Sequence, residues 1–132
     1  MWRGTRPVES AVLREFEMHF KFRIHPAFRE YLSIHNAGFP SPGTFPTIVR
    51  ERKMESFLDF TDRHTSGGAW KVNERLREKI GPKRIIVGTD SSANFICIER
   101  DYQEQYIVVW SHVTGNFERC LLDIPGFIRL IG

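Results

Sequence analysis

Five histidines are the first residues in this sequence that could do chemistry: His19, His25, His35, His64 and His112. A zinc site on a helix needs two of them at i, i+4 with a carboxylate nearby, because only that spacing turns both imidazoles to one face. No pair has it, so no metal is expected. Asp90, Ser91 and Ser92 place an acid beside two hydroxyls. Neighbours within one turn do not form the nucleophile, base and orienter arrangement that activates a hydroxyl, and an Asx-turn is expected there instead. Cys97 and Cys120 sit among apolar residues ("FICIE", "ERCLL") without CxxC spacing. Both read as buried, reduced thiols and neither as a nucleophile. "SGGAW" precedes a helix but is no phosphate-cradling loop of the P-loop or GxGxxG kind. Catalysis and a bound cofactor are therefore not expected.

Charge adds little. The net +3 arises from 19 basic and 16 acidic residues interleaved almost throughout. "RERK" at 50 to 53 and "RLREK" with "PKR" at 75 to 84 could form a basic face for nucleic acid, but Glu51, Glu74 and Glu78 dilute both runs. Trp2, Trp70 and Tyr102 could stack on bases, yet nothing places them on one sheet face. Nucleic acid is not the expected partner.

The elements that must position these residues fit one domain spanning 1–132, with no repeat or linker. Apolar runs are too short to cross a bilayer and no secretory signal opens the chain, which places the expectation in the cytoplasm. The 11 Phe residues suggest a core rich in aromatic rings. From Val8 to Phe20, Val12, Phe16 and Phe20 recur at spacing four beside Leu13, with Pro7 suited to the first helical turn. Phe28, Tyr31, Leu32 and His35 mark a second helix from Pro26, with Gly38 as its stop. "TFPTIVRE" and "SFLDF" each suggest a short strand, Pro46 arguing for an edge or a strand end. After "HTSGGA", Val72, Leu76 and Ile80 mark a third helix whose exposed face carries Glu74, Arg75, Arg77, Glu78 and Lys79, ended by Gly81-Pro82. "RIIVGTD", "NFICIE" and "YIVVW" follow as a meander. Their apolar residues are consecutive, as in strands covered on both faces. Asp123 can cap a final helix, "IPGFIRLI", with Pro125 in its first turn. The fold class is α+β: a single domain with a mixed, largely antiparallel sheet, packed with helices.

Element order and three motifs resemble the SUKH superfamily, which includes a yeast cell-wall-assembly regulator and many bacterial immunity proteins. "IHPAFREYLSIHNAGFP" supplies Ile24, Pro26, Phe28, Tyr31, Leu32, Asn36 and Gly38 of the family's helix and Asn-Gly-Gly turn, with Ala37 where Gly is usual. "IIVGTDSSANFICIE" is similar through Gly88, Asp90, Asn94, Ile96, Cys97 and Ile98, with Ile86 in place of Pro and Ser92-Ala93 in place of Gly. "IVVWSH" and "GFIRLI" complete the order. The resemblance implies a non-catalytic protein that neutralises a cognate toxin by binding it, or a housekeeping scaffold of the cell-wall-regulator type.

"HNAGFP" is physically an effective helix stop: Asn36 tolerates a left-handed conformation and Gly38 can close the end. The same segment hangs Phe39, Pro40, Pro42 and Phe45 on an apolar, Pro-stiffened loop, cheap to order on binding. The expected partner contacts are Phe39, Pro42 and Phe45 in that loop and Asp90, Asn94, Asp101, Tyr102 and Glu104 in the meander turns. Trp70 and Trp110 are assigned to packing. An inhibitor of a basic nuclease toxin needs an acidic face. Either Asp90, Glu99, Asp101 and Glu104 form one locally, or the toxin is of another kind.

Overall fold

The computed structural model describes residues 2–132. The chain opens with β1 (Trp2–Arg3), then α1 (Ser10–Phe20), α2 (Pro26–His35), β2 (Phe39–Pro40) and β3 (Thr44–Pro46). β4 (Glu51–Phe57) precedes α3 (Ala69–Ile80), after which β5 (Arg84–Asp90), β6 (Phe95–Asp101) and β7 (Glu104–Trp110) form the expected meander. β8 (Phe117–Arg119) and α4 (Ile124–Ile131) complete the α+β fold. β1 pairs with β2, while β3 to β8 form a six-stranded antiparallel sheet in chain order. This sheet curls until its two ends meet. Thr47 bridges Cys120, the Ile48 N–H donates to the Arg119 carbonyl (2.9 Å) and the Leu121 N–H to the Pro46 carbonyl (3.0 Å). No helix among the described residues is long and apolar enough to cross a membrane.

The core is aromatic, as the Phe count suggests. Phe16 packs edge-on against Phe60 and Trp70, and Phe45 and Phe28 both meet Phe127 of α4. Consecutive residues of β5, β6 and β7 are buried, because α3 packs on β5 and α4 on β3 and β7. Trp70 and Trp110 are buried, and Cys97 and Cys120 are buried free thiols.

Several element boundaries differ from the sequence reading. Helix α1 starts at Ser10, leaving Pro7 outside it, because the Arg6 and Val8 N–H groups bond to the Asn36 and Ser33 carbonyls and draw the chain along α2. At the end of α2 the left-handed residue is Ala37 (φ 63°), while Asn36 keeps a negative φ of −48°. Gly38 has another role: a Cβ there would lie 2.7 Å from Thr5 Cγ2 and 2.8 Å from Trp2 Cε3. Tight contact with the N-terminal strand requires it. On α4, Asp123 caps as expected, its carboxylate accepting from the Gly126 N–H at 2.8 Å.

β4 is the largest difference. "TFPTIVRE" breaks after Pro46, because Thr47 folds a turn in which its hydroxyl accepts from the Val49 and Arg50 N–H groups. The strand resumes through the charged "ERKMES", and only Ser56 and Phe57 of "SFLDF" belong to it. At α3 the surprise is Asn73, fully buried, whose side chain accepts from the Ile86 N–H (2.7 Å) and donates to the Ile86 carbonyl (2.9 Å). The pairing of β5 with β6 shifts register between Ile86 and Gly88, so this amide satisfies backbone at the irregularity. Arg77 is not on the solvated face: it is half-buried and donates to the Phe20 and Arg84 carbonyls.

Candidate partner-binding surface

The loop after α2 is not the free apolar patch expected. Phe45 is 1% exposed, its ring 5.1 Å from that of Phe127, so it belongs to the core and cannot meet a partner. Phe39 retains 40% exposure but is held in the small sheet opposite Arg3, and Pro42 is exposed beside it. Asn36 points inward, accepting from the Phe60 N–H (2.8 Å) and donating to Asp59 (3.0 Å).

The turn between β5 and β6 is also internal. Asp90 is 0% exposed, and Asn94 is buried. The Asp90 carboxylate accepts from the Ser92 and Asn94 N–H groups (2.9 and 2.8 Å) and from the Asn94 side chain (3.2 Å). The expected Asx-turn is therefore present, and it removes both residues from the contact set. Ala93 takes the left-handed position (φ 62°).

Behind this turn lies a charge cluster that the sequence reading missed. Arg52 of β4 makes a two-pronged ion pair with Glu118 of β8 (Nε to Oε1 3.0 Å, Nη2 to Oε2 2.5 Å), and its Nη1 lies 3.9 Å from Asp90 Oδ2. The Thr47 hydroxyl lies 3.1 Å from Glu118 Oε1 as well, its one proton shared with the Arg50 carbonyl at 2.7 Å. The Arg52 hydrogen bond holds the Glu118 carboxyl below the usual glutamate range and raises the Arg52 guanidinium. Carboxylate and guanidinium are thus locked in their charged forms, and the cluster joins β4 to β8 where the sheet closes. One signal was available: Arg52 falls on the alternate position from Met54, the core face of β4.

The second meander turn has the opposite character. Asp101, Tyr102, Gln103 and Glu104 are all exposed, and Tyr102 is 98% exposed at the tip of the β6–β7 hairpin. With Asp101 opposite Glu104, Tyr102 is the first residue of a two-residue turn and has φ 56°, a position usually given to glycine. Holding a bulky aromatic there costs backbone energy that its contacts do not return. The hairpin is nonetheless firmly seated. Gln105 donates to the Arg23 carbonyl and accepts from the His25 N–H (2.8 Å), and Arg100 donates to the Lys21 carbonyl (2.9 Å).

Those bonds join the hairpin to the connection between α1 and α2, where a depression of about 720 Å³ opens between the exposed face of α1 and Arg100. A second, of about 360 Å³, continues from Arg23 and Arg100 to Tyr102. Glu17 is committed, accepting from Arg29 (3.1 Å) and the Ile24 N–H (2.8 Å). Glu99 pairs with Arg84 (2.6 Å) and approaches Arg119 (3.8 Å), so with Asp90 buried the acidic patch reduces to Asp101 and Glu104. Of the basic runs picked from the sequence, Arg52 and Arg84 are in ion pairs and Arg77 is bonded to carbonyls, while Arg50, Lys53, Arg75, Lys79 and Lys83 are exposed.

No group of His, Cys, Asp and Glu among the described residues could hold a metal ion. Burial pushes the Cys97 thiol well above the usual cysteine range and raises that of Cys120, which favours the protonated form of both.

A family model of the SUKH group, described as SMI1-KNR4 cell-wall, matches residues 11–123. The chain belongs to the SUKH superfamily. No curated protein and no solved structure matches it. The match runs from α1 to the cap of α4 and takes in the hairpin, the basic connection and the sheet closure of this SUKH domain.

Proposed function

We propose that this SUKH domain is a non-catalytic binding protein that serves as an immunity protein, neutralising a cognate toxin by direct contact. Tyr102 is the observation that carries the reading. A fully exposed tyrosine in a left-handed backbone position makes no contribution to the core, and its hairpin is anchored to the α1–α2 connection. Such a side chain brings large contact area at low conformational cost, which suits a central anchor in a protein interface. Asp101, Glu104 and the exposed pair Phe39 and Pro42 are the other contact candidates that remain at the surface. With the acidic patch reduced to two carboxylates, the favoured toxin is not one whose basic nucleic-acid groove needs an acidic mimic.

The test is capture from the native cell extract at moderate salt. The expected result is one stoichiometric polypeptide that kills cells when expressed alone, is tolerated when this protein is co-expressed, and regains toxicity when the protein carries Tyr102→Ala. Recovery of several housekeeping proteins without toxicity would favour the scaffold role of the cell-wall-regulator relatives.

A further inference from the structure

Resting on that binding reading, we infer that the depression between α1 and Arg100 is the seat for an acidic, extended segment of the partner polypeptide. Five cations border it: Arg29 is paired with Glu17, which also lines it, while Arg14, Lys21, Arg23 and Arg100 have no carboxylate partner among the described residues. Elsewhere in this chain two half-buried guanidinium groups are paired, Arg52 on Glu118 and Arg84 on Glu99. The groove gathers four unanswered cations around one depression, so an acidic ligand gains attraction there without first breaking an internal ion pair.

The form of the ligand follows from the lining. Along the connection exposed Lys21 and Arg23 alternate with buried Phe22 and Ile24, so the cations stand on one side above an apolar floor. The backbone beneath is already bonded, through Phe22 to the Glu17 carbonyl, Ile24 to the Glu17 carboxylate and Arg23 to Gln105. Recognition therefore falls to side chains. Exposed Met18 on the wall of α1 adds an adaptable apolar contact. A polypeptide fits better than a nucleic acid, because the basic track is short. Past Arg100 it gives way to Asp101 and Glu104 around Tyr102, which would repel a continuing phosphate backbone but would accept a cationic side chain. The partner segment thus carries carboxylates followed by a basic or apolar residue at the hairpin.

The probe is a fluorescein-labelled poly-glutamate peptide followed by anisotropy, with a labelled single-stranded RNA of similar charge in parallel. The peptide is expected to bind at low salt and to lose roughly tenfold or more in affinity in Lys21→Glu/Arg23→Glu. Lys53→Glu/Lys79→Glu changes the net charge equally at exposed sites elsewhere and is expected to leave binding within about twofold. Equal losses in both double variants, no peptide binding, or tighter binding of the RNA would each overturn the inference. With the captured partner the two readings separate. Loss of the complex in Lys21→Glu/Arg23→Glu supports the groove, whereas loss only in Tyr102→Ala keeps the immunity reading and overturns the groove.

Discussion

Replacing Arg52 with Met should destabilise the domain more than any surface substitution, and the structure sets the size of the effect. The side chains of Arg52 and Glu118 are each only 10% exposed, and the pair is two-pronged. The variant keeps the aliphatic stem but leaves the Glu118 carboxylate with only the Thr47 hydroxyl. Removing one partner of such a pair costs about 3–5 kcal/mol, chiefly because the other charge stays buried. For a chain of this length that lowers Tm by roughly 10–20 °C. Asp90 contributes less to the loss, since its own turn already supplies three hydrogen bonds. Urea unfolding followed by tryptophan fluorescence measures the change. The double variant Arg52→Met/Glu118→Leu should recover most of the stability, because no unpaired carboxylate remains in the pair. The pH dependence gives a second check. Arg52 depresses the folded pKa of Glu118, so the stability it contributes is complete above the unfolded glutamate value and is lost as pH falls through the folded one. The gap between native protein and Arg52→Met should therefore narrow across that acidic window. A single variant within about 1 kcal/mol of native, or a double variant no better than the single, would refute the reasoning.

Tyr102→Gly should stabilise the isolated domain by about 1 kcal/mol in urea unfolding, since glycine accepts φ 56° without strain, while weakening partner binding at least about thirtyfold. Asn73→Leu should cost roughly 3 kcal/mol in the same assay, because it strips the Ile86 N–H and carbonyl of their buried partner. Cys97 should resist alkylation until the protein unfolds, and a native-state reaction at pH 7 on the time scale of a free thiol would contradict its burial.

Much of the fold was legible where the local signal and the tertiary outcome agree. The meander showed itself because β-branched residues crowd consecutive positions, and α4 because Asp123 and Pro125 stand where a helix start needs them. β4 was hidden for a physical reason. Its charges are legible only beside Glu118, which lies 66 residues away and neutralises Arg52 on the core face. Asn73 was hidden similarly, since a polar residue on an amphipathic helix looks solvated until the irregular strand it serves is known. At the surface, Tyr102 and its flanking acids could be found from the turn-like polar segment between strands. The groove could not, because Arg100 meets Lys21 across 79 residues, a juxtaposition that no local run of the sequence displays.

The closure of the sheet has a bearing on how any partner can be recognised. With Thr47 against Cys120, the two short end strands cover one another and the long strands lie in the interior. With the end strands of the sheet joined to each other, the closure works against a visiting chain entering as an added strand, a mode carried by main-chain hydrogen bonds. Discrimination is left to side chains on the hairpin tip and the helix connection. Residues there can be exchanged for others without disturbing a single rung of the sheet, which frees specificity to change while the scaffold stays as it is.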